Sequence, residues 1–381
     1  LLAFLPEECF MRIGVPKEVK NHEYRVGLTP ASVRALHLAG HEVLVQTQAG
    51  HAIGMSDDLY ESVGAQIVAD AAGIYGKADM VVKVKEPQAQ ECEMLREGQI
   101  LYAYLHLAPD LTQTEALMRA GAICIAYETI TGPQGGLPLL APMSEVAGRM
   151  SVQAAAAHLE KSRGGAGVLL GGVPGVAAGE VVILGAGVVG TNALQMAVGL
   201  GARVTVIDKS LDRLRQLDLL YGNRITTCYS TQPAIEDAVT MADAVIGAVL
   251  LPGAAAPKLV TRAMIKEMKP GSVVVDVAID QGGCFETSRP TTHDDPTYVV
   301  DGVIHYCVAN MPGAVARTST LALNNATLPH ALALANHGWK AALNADFHLR
   351  EGLNVCAGKV THAAVAKALN LPFTDPVTLL S

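Results

Sequence analysis

The sequence predicts an α/β protein built from two doubly wound domains, and three observations predict it. Short aliphatic runs alternate with helical segments along most of the 381 residues, the pattern of βα units that close a mostly parallel sheet. One strand–turn–helix–strand unit, residues 181–208, reads VVILGAGVVGTNALQMAVGLGARVTVID and holds a GxGxxG between strand and helix. The strand and helix candidates of residues 12–127 lack such a glycine pattern and should form a second α/β layer of their own.

Residues 1–10, LLAFLPEECF, have neither the basic start nor the small-residue cleavage site of a secretory leader, and read as an extension before a natural start at Met11. Residues 12–16 form the first strand. Thr29-Pro30 opens a helix to Ala39, with Thr as N-cap and Pro in the first turn, and Gly40 ends it. Residues 41–46 return as a strand, Ser56 caps the next helix, and 66–68 is a short strand. Residues 80–84 (MVVKV), 100–105 (ILYAYL) and 122–127 (AICIAY) are further strands. Residues 132–142, dense in Gly and Pro, look like a crossover. Ser144-Glu145 then opens an apolar helix to about Lys161, suited to lie between two domains, and 162–176 is a glycine-rich loop.

After residue 208, helices over 212–220, 233–241 and 261–268 alternate with strands over 224–229, 244–249 and 273–279. Residues 303–308 complete the six strands of a Rossmann fold. From Met311 helices dominate and should pack back on the first module. The predicted division is 1–140 for the first part of a discontinuous α/β domain, 141–310 for the Rossmann domain and 311–381 for the C-terminal helices, with a cleft between the two domains.

Half the residues are hydrophobic, enough for sizeable cores without cross-links, and the formal charge of −8 argues against a nucleic-acid or membrane-surface partner. The seven cysteines are scattered with no CxxC pair, which fits reduced thiols in a cytoplasmic protein and argues against a zinc site. No apolar run reaches the ~18 residues of a membrane span.

In Gly185-Ala186-Gly187-Val188-Val189-Gly190, Gly185 allows the tight turn, Gly187 a close approach to a pyrophosphate, and Gly190 the helix–strand contact. The N–H groups at the helix start face the phosphates. Asp208 closes the next strand, where a carboxylate accepts ribose hydroxyls and repels a 2′-phosphate, so NAD is favoured over NADP.

Four polar positions supply the remaining chemistry of a dehydrogenase. Arg25, in a polar loop after the first strand, suits bidentate binding of a substrate carboxylate, although an ordinary surface arginine reads the same. Lys83 and Lys85 share parity at a strand end and should point to one face, and Lys85 lies better for a ligand beyond the carboxyl ends of the strands. His106 ends another strand and could move protons near neutral pH, or be a satisfied histidine. Asp280 follows the strand VVVDVAI at its top; a turn-forming Asp before Gly-Gly is the alternative. Asp276 reads as structural, and His293 as a loop residue. Ser144 could cap its helix, contact the cofactor, or both, and Asn310 sits at another strand exit where a nicotinamide would lie.

RIGVPKEVKNHEYRVGLTP, VKVKEP, LHLAP, LAPMSEVAGR, GAGVVG, GAVLLPGAAAPKLV, DVAIDQGGCFETSRPTTH and CVANMPGAVARTST occur in that order. Through them the chain closely resembles the L-alanine dehydrogenases. The resemblance implies NAD-dependent oxidative deamination of L-alanine to pyruvate and ammonium, and the reverse. It implies substrate binding by Arg25 and Lys85, acid/base work by His106, and a catalytic part for Asp280. The implied NAD contacts are Ser144, the Gly185 to Gly190 turn, Asp208 and Asn310, with no metal, in a cytoplasmic homohexamer. The wider superfamily includes the nucleotide-binding subunit of proton-pumping transhydrogenase, so the alternative is an NAD(H)-binding subunit that passes hydride to a partner nucleotide domain.

Overall fold

A computed structural model describes residues 10–249 and 256–380, which fall into two compact units. Unit 1 comprises residues 10–143 and 315–380, and unit 2 is Ser144–Ala314. The predicted extension, apart from Phe10, and residues 250–255 of the GAVLLPGAAAPKLV stretch lie outside the described residues.

The first part of unit 1 supplies β1 (Arg12–Val15), β2 (Glu42–Gln46), β3 (Ala65–Val68), β4 (Met80–Val82), β5 (Ile100–Ala103) and β6 (Ile123–Ala126). Unit 2 follows with β7 (Glu180–Leu184), β8 (Arg203–Asp208), β9 (Ile225–Tyr229), β10 (Ala244–Gly247), β11 (Val273–Asp276), β12 (Thr297–Val300) and β13 (Val303–Tyr306). The chain then returns to unit 1 with β14 (Leu353–Cys356) and β15 (Lys359–Val360).

The sheet of unit 1 has the order β15-β14-β6-β5-β4-β1-β2-β3, and that of unit 2 β12-β13-β11-β10-β7-β8-β9. Strands β1 to β6 are mutually parallel, as are β7 to β11 with β13. Each parallel set therefore runs 3-2-1-4-5-6 in its own numbering, and its direction of winding reverses between its first and fourth strands. Ligands of such sheets bind beyond the carboxyl ends at that reversal. In unit 1 it lies between β1 and β4, and in unit 2 between β7 and β10. The central strands ILYA, ICIA, AVIG and VVVD are buried along their whole length, as parallel strands covered on both faces must be.

Three strands depart from the sequence reading. β12 pairs antiparallel with β13, making the sheet of unit 2 seven-stranded, and β14 and β15 extend unit 1 antiparallel at β6. All three are short and lie in polar or glycine-flanked sequence, where no period of two is long enough to register. The strand expected over 273–279 stops at Asp276 and becomes a 3-10 turn, Val277–Gln281. The apolar helix runs Ala141–His158, three residues before its expected start, so Ser144 lies inside the first turn rather than at the cap. Ser56 does occupy an N-cap, but its side chain makes no capping hydrogen bond.

Helix Pro30–Leu38 is capped by Thr29, whose hydroxyl accepts from Ser32 N. The same helix start is tied to the long helix Ala316–Ala345, because Asn324 Oδ1 accepts Thr29 N and Ser32 Oγ, each at 2.8 Å. All three residues are buried. Asn324→Ala removes the acceptor from two buried donors, so denaturant unfolding should register a loss of about 1–3 kcal/mol in the stability of unit 1. An unchanged midpoint would show that the helix start does not depend on this amide.

Candidate functional site

In unit 2 the glycine turn connects β7 to helix Val188–Gly199, whose N-cap Gly187 offers no side-chain cap. A Cβ at Gly190 would lie 1.8 Å from the Gly185 carbonyl oxygen, and one at Gly185, whose φ is +99°, would lie 2.7 Å from that of Ala248. Gly187 faces open space, with nothing within 4 Å of its ideal Cβ. The helix-start amides thus sit at an open concave edge, which fits a pyrophosphate. Val188 is exposed and Ala186 is buried.

Asp208, at the end of β8, accepts Ala186 N at 2.6 Å and Ser210 N at 2.7 Å. Its carboxylate thus braces the glycine turn. Arg213 braces the same turn, its guanidinium donating to Ala186 O at 2.8 Å and Thr191 Oγ1 at 2.7 Å. Sequence reasoning missed Arg213, since it lies one helix later and belongs to no pattern.

Asp280 is exposed and lies in the 3-10 turn after β11 rather than at a strand end. Its placement is set by Asp276, which is fully buried and accepts Ala278 N at 3.2 Å, Cys284 N at 3.0 Å and Ser288 Oγ at 2.5 Å. Burial pushes the Asp276 carboxyl above the usual range, against the opposing pull of the Ser288 hydroxyl and the Phe285 and Cys284 amides. Asn310 follows β13 with φ +60°, and its carbonyl accepts from His293 Nε2 at 3.1 Å. His293, read as a plain loop residue, thus holds the Asn310 turn. Ser144 is half-buried in its helix.

In unit 1 the polar residues gather beyond β1, β4 and β5. Arg25 is buried, and its Nε and Nη2 meet the two oxygens of Glu23 at 2.6 and 2.5 Å. Its Nη1 lies 3.1 Å from Met143 Sδ. Desolvation opposes charge on both partners, yet their pairing raises the Arg25 pKa and lowers that of Glu23. The arginine expected to clasp a substrate therefore already gives one guanidinium edge to Glu23. Arg25, Glu23 and Glu18 also border a small cavity of about 100 Å³ with Lys17, Gln48 and His51.

The two lysines do not share a face, because β4 ends at Val82 before either is reached. Lys83 is fully buried between Glu18 Oε2 at 3.1 Å and Glu91 Oε1 at 2.7 Å. Lys85 is half-buried and, among the described residues, its ammonium makes no hydrogen bond or ion pair. Burial lowers its pKa, and Arg25 and Lys20 add to that against the pull of Glu86 and Glu23. Lys20 itself pairs with Glu86.

β5 stops at Ala103, so His106 lies three residues past it in the following loop rather than at the strand's end, with φ +50° and an exposed ring. The ring stacks on Tyr104 at 5.8 Å between centroids and 13° between planes. Tyr104 is buried, donates to Leu139 O at 2.5 Å and feels the charge of Arg25. Unit 1 thus gathers an arginine, an unpaired ammonium and a stacked imidazole beyond neighbouring strands. Such a set has the chemistry to bind an anion and to move a proton. Unit 2 gathers an open glycine turn at a helix start, an acid at the end of the next strand and an exposed carboxylate.

The model of the N-terminal domain of alanine dehydrogenase/PNT matches residues 14–147, and that of the C-terminal domain residues 151–363. The chain belongs to this family. An alanine dehydrogenase of Halomonas elongata is 61% identical over 370 residues, covering 97% of this chain and 100% of that protein. A solved L-alanine dehydrogenase superimposes with a TM-score of 0.92 at 54% identity, over 94% of this chain and 99% of its own. A transhydrogenase from Sinorhizobium meliloti gives 0.79 at 27% identity, over 93% and 99%. Across the family's N-terminal part, sequence reasoning passed over Glu18, Glu23, Tyr104 and Glu128, which have no ligand-like spacing and take on roles only once strand exits are adjacent.

The lowered pKa of Lys85 has a consequence for stability. Between the lowered value and the ordinary 10.5, the unfolded chain binds the proton that the folded chain has released. Folding therefore gains stability as pH rises through that window, and below it the charged Lys85 is a cost to the fold. Lys85→Met should raise Tm at neutral pH by about 2–4 °C for each kcal/mol relieved, and flatten stability across the alkaline window. A lower Tm would mean that the ammonium is stabilised in the fold.

Proposed function

We propose that this chain catalyses the NAD-dependent oxidative deamination of L-alanine to pyruvate and ammonium, and the reverse amination. The observation that carries the reading is the unpaired Lys85 ammonium near Arg25, in a chain 61% identical to an alanine dehydrogenase. The transhydrogenase-type reading rests on a lower identity of 27%. In balance, L-alanine, NAD⁺ and water give pyruvate, ammonium, NADH and a proton.

NAD, when bound, supplies the hydride acceptor at C4 of its nicotinamide. The amides of Gly187, Val188 and Val189 would hold its pyrophosphate, with Gly185, Ala186 and Gly190 shaping the turn. Asp208 would accept ribose hydroxyls and disfavour a 2′-phosphate, while Ser144 and Asn310 would take further contacts to the dinucleotide. Lys85 and Arg25 hold the alanine carboxylate. Once the alanine ammonium has released a proton to solvent, loss of hydride from Cα leaves an iminium, whose positive charge a carboxylate favours, the part proposed for Asp280. His106 takes a proton from the water that adds to that carbon and returns one to the departing amine. The reading includes a homohexamer and a cytoplasmic location, both by resemblance to the family. Among the described residues no helix is long and apolar enough to cross a membrane.

Absorbance of reduced nicotinamide should rise with L-alanine and NAD, and far less with NADP. Reduction of NADP at a similar rate would remove the role given to Asp208. His106→Ala should lower turnover about 10²–10⁴-fold while NADH affinity stays near the parent's. Turnover near the parent's in that variant would take His106 out of the mechanism.

A further inference from the structure

We infer that Glu128 is a positioning residue for the His106 imidazole, acting through the backbone of the loop that carries it. The inference rests on the proposed acid/base role of His106. Glu128 stands in the 3-10 turn Tyr127–Thr129 that follows β6, the strand beside β5. One carboxylate oxygen accepts His106 N at 2.6 Å and Leu105 N at 3.1 Å, and the other accepts Leu105 N at 3.2 Å. Among the described residues every hydrogen bond of this carboxylate goes to those two amides.

Two consecutive amides converge on one acceptor only when the chain curls, and the curl here places His106 at φ +50°. A residue with a bulky side chain adopts that conformation at a cost, and keeps it only where its surroundings impose it. Glu128 supplies much of that imposition. The other side of the loop is held too, since Gln113 Nε2 donates to Leu105 O at 2.9 Å and Tyr104 N to Val84 O at 3.1 Å. With the backbone held in the curl, the His106 ring lies flat on Tyr104. Replacing the carboxylate by a non-acceptor frees the two amides and lets residue 106 relax to negative φ, which turns the imidazole off the Tyr104 face.

The test is steady-state kinetics of Glu128→Ala and Glu128→Gln in the full chain, with His106→Ala measured in parallel. Positioning predicts that E128A loses about 100-fold in kcat, as a displacement of about 1 Å at a reacting group does. The KM for pyruvate and the affinity for NADH should move little, and Tm should stay near the parent's. Glutamine keeps a carbonyl oxygen that can accept both amides, so E128Q should recover most of the lost turnover. E128A turning over like the parent while H106A is inactive overturns this inference and leaves the function standing. H106A turning over like the parent takes His106 out of the mechanism and overturns this inference with it, whereas a parent that reduces no NAD with L-alanine overturns the function itself. E128Q as slow as E128A also overturns the inference, whether or not E128A folds, because the carboxylate's charge and not its acceptor would then matter.

Discussion

Lys83 is a lysine with no access to solvent, and the functional end of unit 1 is built on the way its charge is held. A buried ammonium is tolerable only when paired and hydrogen-bonded, and Glu18 and Glu91 provide both. Each carboxylate then has an oxygen to spare for the backbone: Glu18 Oε1 accepts Val84 N at 2.7 Å, and Glu91 Oε2 accepts Gln88 N at 2.8 Å. The segment between β4 and the helix Ala89–Met94 is therefore pinned at both ends by the partners of one lysine. Lys85 lies between the pins. Its ammonium is left without a pair while its backbone is fixed, the condition in which a cation can bind an incoming carboxylate without first breaking a bond of its own.

The same device recurs at other strand exits. Asp276 collects amides beyond β11, Asp208 collects them beyond β8, and Glu128 collects two beyond β5. The cause is general. Where a parallel strand ends, its last amides lose their ladder partners, and buried amides must find acceptors elsewhere. Carboxylates on adjacent exits meet that need, and in doing so they fix the loops that bear Lys85, His106, Asp280 and the glycine turn. Arg25 shows the variant in which the carboxylate takes a cation: Glu23 is held ionised by it and keeps its guanidinium in one plane. This compensation of charge by charge makes the set strongly dependent on each member, since removing one partner of a buried pair costs about 3–5 kcal/mol.

Much of this was legible in the sequence because its signals are local. The glycine turn, the Thr29-Pro30 helix start and the aliphatic strands are read from neighbouring residues, and the βα alternation gives the sheet class. Lys85, His106 and Asp280 could be singled out because each interrupts or follows an apolar run. What stayed hidden depends on non-local pairing. β14 joins β6 from more than two hundred residues away, and its sequence LNVC has no feature that demands a strand. The partners of Lys83, on two other elements, decide that it is structural while Lys85 remains available. Glu128 reads as an unremarkable acid until β6 brings its turn beside the loop after β5.

Hydride transfer from alanine can be followed with L-alanine labelled with deuterium at Cα, incubated with the protein and NAD, with mass analysis of the reduced nucleotide and the keto acid. Direct hydride transfer predicts that the label appears on the nicotinamide, that pyruvate forms in equal amount, and that turnover slows with the labelled substrate. Pyruvate formed with the deuterium released to water, or no nucleotide reduced at all, would contradict hydride transfer from alanine as the chemistry of this site.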